Sequence, residues 1–374
     1  MRIVLLILAI VVLTAGCVSQ QTQNRSNQTI KVGFIAPITG HVPECGLSMQ
    51  IGLDMAMKTN PNANGIEFIV EDDQFNPATS ATITRKLIEQ DGVKIIVGPC
   101  SSSTVLADAP IAESAKVILI TPTGFADKIS EAGDYIFRAA TTASDEAPRV
   151  VDFVLNELNT TDIGIIYLNN DFGVSYNNKI KKVLKEKGIE VKISEAADPP
   201  TSDFRTVLTK MKNANVKTLI LATACCTHPV NIAKQAKELG LNLTYVGASV
   251  IEDEQFLLGA GEAAEGFYVL STIDLSEEHA LQNPEISKFV DIFSKEYPTR
   301  IPTRDRLQTF IATNMIIDAT KICGSDENCI KAWLYDVQNK STILGPISIN
   351  ELGDVKYSHF VFKQVQNGTF VKVA

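Results

Sequence analysis

Short apolar runs alternate with amphipathic stretches along most of this chain. Apolar strands are predicted at Lys31–Pro37, Glu67–Glu71, Ile95–Gly98 and Val117–Thr121. Residues spaced at helical intervals fill the gaps, over Gly46–Lys58, Asn76–Asp91 and Val105–Ala115. A second set of the same kind starts after Ala143. Helices at Glu146–Leu158, Tyr176–Lys187, Phe204–Ala214 and Val230–Leu239 alternate with strands at Asp162–Tyr167, Glu190–Glu195, Thr218–Ala222 and Thr244–Gly247. This βαβα rhythm implies an α/β fold built on parallel sheets with helices on both faces. A strand at Gly266–Leu270 and helices around Pro284–Tyr297 and Leu307–Cys323 follow. Ile347–Asn350 and Phe360–Gln366 are predicted as an antiparallel pair joined through Glu351-Leu352-Gly353-Asp354.

Two strand ends carry the most informative chemistry. Ile95-Ile96-Val97 runs into Gly98-Pro99-Cys100-Ser101-Ser102-Ser103, and the next strand ends in Thr121-Pro122-Thr123-Gly124. A helix N-terminus offers unpaired N–H groups and partial positive charge, so hydroxyl-rich turns there suit a carboxylate. For a single serine, an ordinary N-cap explains as much. Two neighbouring strands ending this way describe a ligand crevice at the carboxyl edge of an open sheet.

The amino terminus reads differently. Arg2 precedes an uninterrupted apolar run, Ile3–Leu13, and then Leu13-Thr14-Ala15-Gly16-Cys17. The run is too short for a membrane span. Residues 1–16 resemble a lipoprotein signal peptide, with Cys17 as the lipid-bearing residue of an exported protein anchored to the outer face of the cytoplasmic membrane; a plain signal peptide cut near Ala15, releasing a periplasmic protein, is the alternative. The Gln-, Asn- and Ser-rich residues 17–29 read as a flexible tether. A formal net charge of −9 argues against a nucleic-acid partner. Export favours disulfides: Cys323 and Cys329 flank a short polar loop, and Cys45 and Cys100 follow early strands whose loops should face each other. Cys225-Cys226 with His228 weigh weakly for a soft metal, because a fourth ligand is missing; no metal or other cofactor is expected. Enzyme motifs are absent: no Gly-x-Ser-x-Gly, no His-Glu-x-x-His, no phosphate-binding Gly-rich loop, and four histidines in all.

Taken in order, several segments resemble the leucine/isoleucine/valine-binding branch of ABC-importer substrate-binding lipoproteins. They are Gly33–Gly40, Glu71-Asp72-Asp73-Gln74, Leu87–Val93, Gly98–Ser103, Gly133–Arg138, Thr201–Phe204 and Gly345–Ser348 with Gly353-Asp354. The resemblance implies a two-lobed type I periplasmic-binding fold with several hinge crossings. We place residues 30–144 plus 273–343 in the first lobe and 145–272 plus 344–374 in the second. Crossings are expected near Ala143–Glu146, Ser271–Asp274 and Thr342–Gly345. The implied function is capture of a small carboxylate-bearing solute, a branched-chain or other apolar amino acid or a related acid or amide, by cleft closure, for delivery to ABC permease and ATPase subunits. A ligand-sensing lipoprotein signalling to a membrane partner is the alternative.

By the same resemblance, Ser101 or Ser102 and Thr123 hold the ligand's carboxylate. Phe125 stands where the family has threonine, and Phe172 where it has tyrosine. Phe310 occupies a second tyrosine position, and Cys225 lines the pocket. The acid that would balance an α-ammonium aligns with Ser249. A buried ammonium without a counter-charge is costly. Either another acid substitutes, with Glu44, Asp171 and Glu252 as candidates, or the ligand carries no ammonium.

Overall fold

The computed structural model describes residues 29–40, 42–223, 227–275 and 284–374. Cys17 and Cys225 lie outside the described residues. The first half forms β1 (Ile30–Ala36), α1 (Pro43–Thr59), β2 (Ile66–Asp72), α2 (Pro77–Glu89), β3 (Ile95–Val97), α3 (Ser102–Ala115), β4 (Ile118–Thr121) and β5 (Ile136–Arg138). Its sheet is wholly parallel, in the order β2-β1-β3-β4-β5. Next come α4 (Ala143–Asn156), β6 (Ile163–Leu168), α5 (Asp171–Glu186), β7 (Ile193–Ala197), α6 (Arg205–Asn213), β8 (Thr218–Ala222), α7 (Thr227–Glu238), β9 (Thr244–Gly247), α8 (Glu254–Ala260) and β10 (Tyr268–Ser271). Here β7-β6-β8-β9-β10 repeats the same parallel order. In each sheet the order reverses once, at β1/β3 and at β6/β8, and loops after those strands flank a crevice.

The rest of the chain returns to both halves. It comprises α9 (Pro284–Glu296), α10 (Arg304–Cys323), α11 (Glu327–Tyr335), β11 (Ile347–Ile349), β12 (Val355–Tyr357), β13 (Val361–Gln366) and β14 (Thr369–Lys372). Helix α10 packs on α1, where a Cβ on Gly52 would sit 2.4 Å from the Arg306 carbonyl oxygen. Only a glycine permits that approach.

The antiparallel pairing of the tail differs from expectation. The Glu351–Asp354 turn is present, but Ile347–Ile349 pairs with Val355–Tyr357, and Val361–Gln366 pairs instead with β10 and β14. Period-two patterning makes each segment a strand without naming its partner. Residues 344–357 were expected with the second lobe. Leu344, Ile347, Ile349, Val355 and Tyr357 are buried instead in one core with Phe34, Phe137 and Met315. Arg138, wholly buried, clasps the Asp354 carboxylate with Nε at 2.9 Å and Nη2 at 2.6 Å, fixing that hairpin to β5. The third crossing therefore falls between Tyr357 and Val361, not at 342–345.

Several helices begin earlier than apolar spacing suggested, because polar caps set their starts. Ser101 caps α3 and Thr142 caps α4, each through a capping box. Asn76 caps α2. Asp72 accepts from the Ile38 and Thr39 amides at 2.9 and 3.2 Å, holding the loop after β1.

Asp73 and Asp108 are buried close to one another under α2. Ser80 donates to Asp108 Oδ2 at 2.6 Å, while Oδ1 has no partner among the described residues. Burial pushes Asp108 up to about 7 and Asp73 up to about 6. A folded-state pKa above the unfolded value of about 3.9 means the folded state holds more protons between those values. Stability contributed by the protonated acid is therefore present below about pH 4 and lost as pH rises towards 7. Asp108→Asn is expected to flatten the fall in unfolding free energy across that window in urea titrations. An unchanged pH slope would contradict the assignment.

Candidate functional site

The loops after β1 and β3 meet the loops after β6 and β9 in a cavity of about 50 Å³. It is lined by Val42, Cys45, Phe75, Cys100, Ser101, Ser102, Thr123, Phe125, Leu168, Asn170, Phe172, Val250, Arg304 and Asp305. That volume holds a few waters. A Cys45–Cys100 disulfide joins the first lobe's two switch-point loops and forms part of the wall. A second disulfide, Cys323–Cys329, closes the loop after α10, away from the cavity lining.

The hydroxyl-rich turns are tied to one another. Thr123 donates to the Cys100 carbonyl at 2.7 Å, and Thr121 donates to the Pro99 carbonyl at 2.8 Å. Ser102 Oγ accepts from the Phe125 and Ala126 amides, both at 3.0 Å. A hydroxyl accepting two N–H bonds still has a proton to donate. Ser101 Oγ accepts from the Thr104 amide at 3.1 Å in its capping role while lining the cavity.

Phe125 and Phe172 meet across the lobes, with ring centroids 5.4 Å apart. Phe125 belongs by backbone to the first lobe, yet its ring is buried in the second lobe's core beside Val150 and Tyr176. Both rings also line the cavity, so core packing and cleft lining are here the same surface. Gly173 allows α5 to start so close to β6; a Cβ there would lie 2.1 Å from the Leu168 carbonyl oxygen. Phe310 lies outside the cavity lining and packs edge-on to Phe289, with ring centroids 5.0 Å apart.

Ser249 is not an empty slot. Its hydroxyl donates to Glu146 Oε1 at 2.6 Å, and Thr141 donates to the same oxygen at 2.7 Å. Glu146 is fully buried, and burial raises its pKa. Burial and the Glu146 charge together hold the Tyr176 hydroxyl well above its ordinary value. Neither Glu146 nor Ser249 lines the cavity.

The acids considered as substitutes are engaged elsewhere. Glu44 pairs with Arg300, and Glu252 accepts from Ser271 and Lys363. Asp171 accepts from Ser103 across the lobes at 2.7 Å. On another face Glu254 of the second lobe accepts from Arg306 Nη1 and Nη2, both at 2.7 Å. These contacts hold the lobes together.

Sequence reasoning passed over Arg304 and Asp305. Arg304 is 3% exposed, with its guanidinium carbon 4.4 Å from the Phe125 ring centroid. It donates through Nη2 to Asp305 Oδ1. Both residues fall in the first turn of α10, which apolar spacing started only at Leu307. Two charges directly before a long apolar helix were the available signal. His228 Nε2 lies 3.0 Å from the Pro199 carbonyl oxygen, and among the described residues no group of three His, Cys, Asp or Glu side chains gathers to hold a metal.

Residues 29–366 match the family model for periplasmic binding protein. The chain belongs to this family. It is 26% identical over 342 residues to the leucine-, isoleucine-, valine-, threonine- and alanine-binding protein of Pseudomonas aeruginosa, covering 89% of this chain and 88% of that protein. It is 24% identical over 370 residues to the Leu/Ile/Val-binding protein of Escherichia coli, covering 96% and 97%. Among solved structures, a leucine binding protein from Thermotoga maritima superposes with a TM-score of 0.86 at 23% identity, over 92% of this chain and 98% of that one. A solute binding protein from Rhodopseudomonas palustris in complex with benzoate gives 0.84 at 18% identity, over 92% and 95%. These likenesses establish a two-lobed type I periplasmic-binding fold. The relatives are solute-binding proteins, not enzymes, and the family is extracytoplasmic. Among the described residues no helix is long and apolar enough to cross a membrane.

Ser102→Ala removes the acceptor for two buried amides. Each unpaired donor costs on the order of 1–3 kcal/mol, so unfolding free energy is expected to drop by about that much or more in urea titrations. A change below about 0.5 kcal/mol would show that the turn does not depend on this hydroxyl.

Proposed function

We propose that this protein is the substrate-binding component of an ABC importer, capturing a small carboxylate-bearing solute by closure of the two lobes. The observation that carries the reading is the cavity between two facing carboxyl edges, lined by Ser101, Ser102, Thr123, Phe125 and Phe172. Helix-start amides, hydroxyls and a guanidinium suit a carboxylate, and paired aromatic rings suit an apolar body. The names of the relatives support branched-chain amino acids, and the benzoate complex supports aromatic acids, as the solute classes to try first. Closure brings both lobes' surfaces into the arrangement that permease and ATPase subunits would distinguish from the open form. The comparisons give no support to a signalling role.

Ligand that binds only the folded state raises stability by about 2.7 kcal/mol at one hundred times its Kd. A thermal-shift screen of amino acids, their amides and simple carboxylic acids is expected to give stabilisation by carboxylate-bearing members and little by amides. No stabilisation by any member would overturn the reading.

We further propose a lipid tether through Cys17, supported by the apolar run and the small residues before that cysteine. Expressed in a bacterium with lipoprotein processing, the full chain should partition into detergent and Cys17→Ser should not. Equal partitioning of the two would argue against the tether.

A further inference from the structure

The cavity holds two charged side chains among the residues lining it, Arg304 and Asp305. They are adjacent at the start of α10 and are paired through a single nitrogen and a single oxygen, Arg304 Nη2 to Asp305 Oδ1. What this pairing leaves open is informative. Arg304 Nε and Nη1 are buried and have no hydrogen-bond partner among the described residues. Asp305 Oδ2 lies 3.7 Å from Cys45 Sγ, but that sulfur is bonded to Cys100 and has no hydrogen to give. Arg304 and Asp305 both line the cavity, and between them two N–H donors and one carboxylate oxygen have no hydrogen-bond partner among the described residues.

Unpaired buried donors and charged oxygens are costly unless something answers them. A simple acid would answer Arg304 and place its negative charge beside Asp305. A simple amine would answer Asp305 and face the guanidinium. A molecule with a carboxylate and an ammonium on one carbon answers both. The other acids near the cleft do not compete for the ammonium. Glu146, close enough to Arg304 to feel its charge, accepts from Ser249 and Thr141 and does not line the cavity, and Glu44, Asp171 and Glu252 are held by Arg300, Ser103 and Lys363.

We infer that Arg304 and Asp305 read the charges of a zwitterionic amino acid, Asp305 taking the ammonium and Arg304 sharing the carboxylate with the Ser102 hydroxyl. The inference rests on the cleft being the solute site, as proposed above, and adds the ligand's charge type and the residues that select it. The acid absent from position 249 is thus replaced from a different element, on the opposite lobe.

Calorimetry on the full chain tests this with L-leucine, L-valine and L-alanine, each beside its deaminated acid and its decarboxylated amine. At least one amino acid is expected to bind on the order of 30-fold or more tighter than both of its truncated forms, the usual loss when one member of a buried charge pair is removed. Asp305→Asn should erase the preference over the deaminated acid, and Arg304→Gln the preference over the amine. The comparison among ligands on the unaltered protein stands even if a variant fails to fold. A deaminated acid binding as tightly as its amino acid would overturn the inference, as would an Asp305→Asn protein that keeps the preference. Binding of benzoate or another plain acid with no amino acid bound would overturn it and leave the cleft reading intact. If no solute of any of these classes binds, both fall.

Discussion

Two parallel sheets that turn their carboxyl edges toward each other impose the rest of this architecture. The five parallel strands of each sheet follow the same order, so each sheet has one point where neighbouring crossovers leave on opposite faces and the following loops stand apart. Helices starting at such an edge bring there amides that lack intrahelical partners. When two such edges face one another, the space between them is bordered by main-chain donors from both sides. The hydroxyls of Thr121, Ser102 and Thr123 bridge the first lobe's turns and keep those donors in register. The Cys45–Cys100 disulfide adds a covalent tie between the loops after β1 and after β3.

Burial of charge is arranged differently at the cleft and around it. Arg138 is clasped by Asp354 and by the carbonyl of Ala126, and Glu254 is answered by Arg306, Arg300 and the Ile301 amide. In those places the carboxylates are fully answered and, of the guanidinium nitrogens, only Arg306 Nε among the described residues is buried without a partner, as expected where desolvation must be offset by hydrogen bonds. At the cavity, Arg304 and Asp305 make one contact to each other and stop short of saturation. Incomplete pairing at a buried site is tolerated where a ligand completes it. Position in the cavity together with incomplete pairing sets Arg304 and Asp305 apart from the ionic contacts that hold the fold.

The aromatic pair links packing to recognition. Phe125 is carried by the first lobe but buried in the second lobe's core, where it meets Phe172 at 5.4 Å. Opening the lobes must pull this ring from its apolar surroundings, and closing must return it. Apolar burial therefore favours the closed arrangement, in concert with Ser103–Asp171 and Glu254–Arg306. Ligand contacts need supply only the remaining preference between the two states.

The alternation of strand and helix, the hydroxyl-rich turns at Ser101–Ser103 and Thr121–Thr123, and the cysteine-flanked loop at 323–329 were legible in the chain because they are local. Periodicity needs only neighbouring residues, and caps act within a turn or two. The tail was not legible in the same way. Ile347–Ile349 and Val361–Gln366 are both strands, but partner choice depended on Val355–Tyr357 closing a hairpin and on the unpaired edge of β10. The replacement for an acid at Ser249 was equally out of reach. Glu146 is 103 residues from Ser249, and Asp305 reaches the cleft only because α10 folds back across the first lobe. Sequence determined which segments would be strands, helices and anion-favouring turns; tertiary structure decided which distant charges share a cavity, since Coulomb attraction and desolvation depend on separation in space rather than along the chain.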